Sequence, residues 1–128
     1  MSERAATPLV LVADDDEDIL SLVAYVLEAA GYGVVAAHDG EEALQLALDR
    51  RPAVAVLDVM MPQLDGLEVT RRLRATEGLE ELPIILLTAR VADSDVQDGF
   101  GAGATAYLRK PFSPHDLRQQ VAAALGGA

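Results

Sequence analysis

The residue types best suited to chemistry in this chain are two adjacent acids, Asp14 and Asp15, a third acid, Asp58, and Thr88 and Lys110. The first two open a run of five acids, Asp14 to Asp18, that follows directly on an apolar stretch. Packed carboxylates repel, so such a run needs a reason: a solvated loop capping a helix, a cation site, or the active site of a phosphoryl-transfer protein. Three converging acids are tolerable with a divalent cation among them. Hard oxygen donors, with no cysteine and no histidine at metal-ligand spacing, point to Mg2+ or Mn2+ rather than zinc. Lysine adds a point positive charge and threonine a hydroxyl donor, both suited to phosphoryl oxygens. A nucleophilic carboxylate, a divalent metal, a lysine and a hydroxyl together make a phosphoryl-transfer site.

Convergence of these residues depends on the elements that carry them. Short apolar runs at residues 9–13, 34–37, 54–57, 84–87 and 105–108 read as strands. Those at 9, 54 and 84 are apolar throughout, as strands buried on both faces of a parallel sheet should be; the run at 34 is weaker and belongs nearer an edge. Ile19, Leu20, Val23, Val26, Leu27 and Ala30 follow helical spacing up to Gly31. Further helices are expected over 41–50, from about Asp65-Gly66 through Leu67, Val69 and Leu73, over 92–102, and from the N-cap Ser113 with Pro114 at N1 through Leu117, Val121 and Leu125. Five strand–helix repeats without a composition break predict one domain over 1–128, with its core at about 8–125. The architecture is α/β: a doubly wound, five-stranded parallel sheet with five helices. In such a sheet ligands gather at the carboxyl ends of the strands. Asp14 and Asp15, Asp58, Thr88 and Lys110 are the residues that end strands 1, 3, 4 and 5.

Composition removes several other functions. The 128 residues carry 21 acids against 10 basic residues, a net charge of −11, which repels a phosphate backbone. With no tryptophan and few aromatics there is no platform for stacking bases, and without cysteine there is neither disulfide nor thiol nucleophile. No apolar stretch nears the ~20 residues needed to span a bilayer, and the start MSERAATP is unlike a signal peptide, so a cytoplasmic protein is expected.

The motifs also resemble a known family. ADD at 13–15, LDVMMPQLDG at 57–66, LLTA at 86–89 and YLRKPF at 107–112 are similar, in order and spacing, to the receiver domain of two-component response regulators, of the CheY-like superfamily. The likeness runs from Leu9 to about Leu125. It implies a flavodoxin-like (βα)5 fold and a phosphoacceptor, not an enzyme on other molecules, that takes its phosphoryl group from a sensor histidine kinase or phosphotransfer protein with Mg2+. By position, Asp58 would be the acceptor and Asp15 a direct metal ligand. Asp14 would reach the ion through water, and the main-chain carbonyl of Met60 would complete the set. Lys110 and Thr88 would contact the phosphoryl group, Thr88 and Tyr107 would form the switch, and Lys110-Pro111 would be cis. Met60 falls where the family tunes access of water, and Arg90, two past Thr88, is long enough to lie across the entrance and pair with phosphate, so both bear on the lifetime of the phosphorylated form. Met61 reads as core.

Other readings are weaker. Asp16, Glu17 and Asp18 are best taken as the cap and first turn of helix 1. Asp14-x-Asp16-x-Asp18 imitates a calcium loop, but Ile19 stands where glycine is needed and Tyr25 where glutamate is needed. GAGATA at 101–106 ends a helix and enters a strand, the reverse of a dinucleotide fingerprint. His38 and His115 read as surface residues. A haloacid-dehalogenase-like phosphatase would use Asp14, Asp16, Thr88 and Lys110, but Asp18 stands in place of Thr or Val, no acidic pair follows Lys110, and Asp58 is left unexplained. A receiver used only for docking usually lacks the acceptor, an acid or the lysine, and this chain has them all.

KPFSPHDL resembles receivers that carry a winged-helix DNA-binding output and dimerise through their fourth and fifth helices and fifth strand. Here GATAYL lacks the two acids usual before the tyrosine, and Gln119 and Gln120 stand near the usual basic residue, although Asp116 keeps its acid. A monomer is expected, with at most a weak dimer on phosphorylation. The chain reads as a stand-alone receiver or one cut from a longer regulator, with an unknown effector or output domain downstream.

Overall fold

In a computed structural model, which describes residues 7–89 and 101–126, five parallel strands form one sheet flanked by helices. In chain order these are β1 (Leu9–Ala13), α1 (Glu17–Ala29), β2 (Gly33–Ala37), α2 (Gly40–Arg50), β3 (Val54–Asp58), α3 (Gly66–Arg74), β4 (Ile84–Thr88), β5 (Ala106–Arg109) and α4 (Pro114–Ala124). The sheet order is β2-β1-β3-β4-β5, with β1, β3 and β4 in the interior and the weakly apolar β2 at an edge. The helix expected over 92–102 falls, except for its last two residues, outside the described residues.

Alternation along the strands sends residues to opposite faces, and each face meets its own helices. Leu11, Ala13, Ala55, Leu57, Ile84 and Leu86 pack with Ala43 and Ala47 of α2 and Val69 and Leu73 of α3. Val10, Val12, Val54, Val56, Ile85 and Leu87 pack with Leu20, Val23 and Leu27 of α1 and Leu117 and Val121 of α4. Burying one such leucine contributes about 1.5–3 kcal/mol, so the two layers hold the interior strands rigidly. Their carboxyl ends are therefore well fixed.

Local chemistry sets the starts of the helices. Asp16, Asp39, Asp65 and Ser113 cap α1, α2, α3 and α4, each side chain accepting a backbone N–H from the first turn. β5 begins one residue later than the apolar pattern suggests. The Thr105 hydroxyl accepts the Ile84 N–H at 3.0 Å, and the Thr105 N–H donates to the Ile84 carbonyl at 2.8 Å. Thr105 is thus a polar clamp at the strand entrance. None of the described helices is long and apolar enough to cross a membrane.

Candidate functional site

The parallel register brings the strand ends together. Ala13 lies beside Leu57, and Asp58 beside Leu87, so the residues just after β1 and at the end of β3 are neighbours. β4 and β5 pair with Thr88 opposite Arg109, which puts Lys110 one step beyond, its N–H donating to the Thr88 carbonyl at 2.7 Å. The Lys110–Pro111 peptide bond is cis.

At this end, Lys110 Nζ lies 3.0 Å from Asp14 Oδ2 and 3.2 Å from Asp58 Oδ1. Asp14 is fully buried and Asp58 nearly so, whereas Asp15 faces solvent. One carboxylate oxygen from each of the three acids lies within 4.8 Å of the others. Backbone donors hold two of them: Asp16 N–H donates to Asp14 Oδ1 at 2.9 Å, and Met60 N–H to Asp58 Oδ1 at 3.4 Å. Burial, and then the charge of Asp14, push the Asp58 carboxyl up from 3.8 to about 6, against the opposing pull of Lys110 and the Met60 N–H. Burial works to lower the Lys110 ammonium, but its hydrogen bond to Asp14 and the charges of both acids outweigh this and raise it.

Those acids fit a hard divalent ion. All three donors are oxygens, two are buried, and the charge of Asp14 disfavours an ionised Asp58 beside it, a repulsion that a cation would relieve. Thr88 is buried at the end of β4. Tyr107 is half-buried in β5 and packs on the α2–α3 face. Met61 is core, whereas Met60 is exposed and lines an open pocket of about 370 Å3 with Asp15, Met61, Pro62 and Asp65. Arg90 lies outside the described residues. A larger pocket of about 530 Å3, between Arg51 and Glu81, sits at the opposite end of the sheet from the acids.

Three supports escaped the sequence reading. A Cβ on Gly66 would overlap the Asp58 carbonyl, and one on Gly40 would overlap the Leu64 carbonyl, so two glycines let α3 and α2 press against the loop after β3. His38 is a surface residue, as expected, but its ring contacts Glu17 and Glu42. The Asp39-x-x-Glu42 spacing of a capping box was the visible signal for that corner.

A family model described as the response regulator receiver domain matches residues 10–122. The chain is 46% identical over 116 residues to the alkaline phosphatase synthesis transcriptional regulatory protein PhoP of Bacillus subtilis, covering 91% of this chain and 48% of that protein. It is 47% identical over 116 residues to the response regulator MprA of Mycobacterium tuberculosis, covering 91% and 50%. The chain thus spans about half the length of these relatives. Among solved structures, chemotaxis protein CheY4 of Vibrio cholerae superimposes with a TM-score of 0.90 at 37% identity, covering 94% of this chain and 100% of that one. The receiver domain of sensor histidine kinase PA1611 from Pseudomonas aeruginosa, solved with a magnesium ion coordinated in its active site cleft, gives 0.88 at 31% identity, covering 94% and 99%.

Proposed function

The chain belongs to the response regulator receiver domain family, and from that premise we propose that Asp58 is its phosphoacceptor, loaded by a sensor histidine kinase or phosphotransfer protein. The observation that carries this reading is the bridging of Asp14 and Asp58 by Lys110 within a cluster of three carboxylates. With its carboxyl near 6, Asp58 is about nine-tenths ionised at pH 7 and available as a nucleophile. One of its oxygens attacks phosphorus, a P–O bond forms, and the P–N bond to the donor histidine breaks. The imidazole leaves with the electron pair and takes a proton from solvent. Lys110 steadies the phosphoryl oxygens, and Thr88 donates its hydroxyl to them.

Asp14, Asp15, Asp58 and the main-chain carbonyl of Met60 would hold Mg2+, with Mn2+ an acceptable substitute. When bound, the ion neutralises carboxylate repulsion and draws negative charge from the phosphoryl oxygens. Thr88 and Tyr107 form the switch: movement of the hydroxyl toward new negative charge opens space for the ring. Met60 and Arg90 govern the approach of water and so the lifetime of the acyl phosphate. The domain assists its own phosphorylation and dephosphorylation, and controls an effector or output domain without binding nucleic acid itself. We take it to be cytoplasmic, and a monomer until phosphorylated.

The test is incubation with acetyl phosphate, with and without Mg2+, followed by intact mass. Modification should require the cation and map to Asp58. Labelling of a histidine, or undiminished labelling of Asp58→Asn, would overturn the reading.

A further inference from the structure

His38 stands between the end of β2 and the N-cap of α2, and both of its ring nitrogens face carboxylates. Nε2 lies 2.9 Å from Glu17 Oε2, and Nδ1 lies 3.3 Å from Glu42 Oε1. A neutral imidazole donates from one nitrogen only, and an ionised carboxylate cannot donate. Both contacts are satisfied together only by the imidazolium.

The two glutamates come from different elements. Glu17 opens α1, two residues past Asp15, and Glu42 lies in the first turn of α2. Glu42 is itself held: its Oε1 accepts the His38 N–H at 2.7 Å, and its own N–H donates to Asp39 at 2.8 Å. The same corner is joined once through the backbone, where the Asp14 N–H donates to the Ala37 carbonyl at 3.2 Å. His38 adds a side-chain link between the turn bearing Asp14 and Asp15 and the start of α2.

The charges that act on the ring are those of Glu17 and Glu42, and both favour its protonated form. The same elements also carry Asp16 and Asp18 in α1 and its cap, and Asp39 and Glu41 in α2 and its cap. The turn before α3, which meets Gly40 through Leu64, brings Asp65. All are acids, and Lys110 is engaged with Asp14 and Asp58. The hydrogen bond to Glu42 raises the imidazole above its usual 6.5; burial, the next largest effect, opposes it, and the charges of Glu17 and Glu42 and the hydrogen bond to Glu17 add to the rise. The clasp is therefore complete below 6.5 and is lost as pH rises through the higher value of the folded protein. The ring is half exposed, so salt weakens the link.

We propose that His38 is a positioning residue for the acidic site: protonated, it clasps the first turn of α1 to that of α2 and orders the turn carrying Asp14 and Asp15, and deprotonation releases that turn. Its significance rests on the proposed function, because this is the turn that would hold the cation. Two measurements on the whole chain test it. The first is an NMR titration of the metal-free protein from pH 5.5 to 9 (from about one unit below to about 2.5 units above the ordinary histidine value). The His38 ring should titrate above 6.5, its midpoint should fall in Glu17→Gln, and the amide signals of residues 14–18 should follow the same midpoint and lose that transition in His38→Gln. The second is the initial rate of acetyl phosphate labelling against pH. It should decline above the ring midpoint in the wild type, and His38→Gln should lack that decline. Amides that ignore the ring, or matching pH profiles for the two proteins, would overturn the clasp. If Asp58 takes no label at any pH while the ring and amides titrate as stated, the proposed function fails and the clasp stands.

Discussion

Replacing Asp58 with asparagine should abolish phosphorylation and, in the metal-free protein, raise stability. Moving a carboxyl from 3.8 to about 6 corresponds to about 3 kcal/mol of preference for its neutral form. Because the folded pKa is raised, the folded protein binds more protons than the unfolded chain between these values. This contribution to stability therefore falls as pH rises through the window, and the penalty is fully present above about 6. Solvent reaches the cluster through the exposed Asp15, so screening reduces the realised penalty to about 1–2 kcal/mol. Asparagine keeps a carbonyl oxygen for Lys110 and removes the repulsion with Asp14, and the Lys110–Asp14 pair at 3.0 Å remains. At pH 7 in EDTA the variant should melt about 3–8 °C higher, as followed by circular dichroism. At pH 5 the gap should narrow, and saturating Mg2+ should narrow it too by stabilising the wild type more. A variant that melts lower at pH 7, or an equal gap at both pH values, would refute the reasoning.

Other expectations concern the supports and the switch. Gly66→Ala gains up to about 1 kcal/mol in helix propensity but drives a methyl into the Asp58 carbonyl, so a net loss of about 1–2 kcal/mol in urea unfolding and slower labelling at Asp58 are expected; an unchanged midpoint would dismiss the close contact. Thr88→Ala should still take a phosphoryl group but couple poorly to its partner, and normal signalling by that variant would remove Thr88 from the switch. Met60 is apolar and exposed, so Met60→Asn should shorten the phosphorylated lifetime in a phosphate-release assay; an equally slow variant would end that role. Light scattering with beryllofluoride and Mg2+ should find at most a weak dimer, and a tight dimer of the unmodified protein would contradict the monomer.

The sheet and the polar residues at its strand ends were legible in the sequence for one physical reason. Strands buried on both faces leave uninterrupted apolar runs, so the polar residue ending each run, such as Asp58 after Val54 to Leu57, announces itself. The boundary of β5 was harder to read because Thr105 is β-branched and resembles a strand residue, while its hydroxyl is occupied in closing the turn onto Ile84. Gly40 and Gly66 look like ordinary cap-adjacent glycines, and their close approaches exist only once α2, α3 and the loop after β3 are packed. His38 was hidden for a similar reason. Its partner Glu17 is distant in sequence, and only the pairing of Ala13 with Ala37 brings the two turns together.

The charge balance at the strand ends explains why the proposed site would respond to phosphorylation rather than merely accept it. Three carboxylates meet one lysine, and that lysine already divides its ammonium between Asp14 and Asp58 at similar distances. A phosphoryl group on Asp58 would add oxygens that compete for the same three N–H donors. Lys110 cannot hold them at full strength and keep both present contacts, so its share on Asp14 would weaken. Asp14 Oδ1 keeps the Asp16 N–H, and a divalent ion would take up the uncovered charge, so β1 has no need to move. Lys110 instead sits just past β5, which among the described residues is an edge strand paired with β4, and Tyr107 lies three residues before it on that strand. The strain of redistribution would therefore fall on the least constrained side of the site, where an aromatic ring can change its packing.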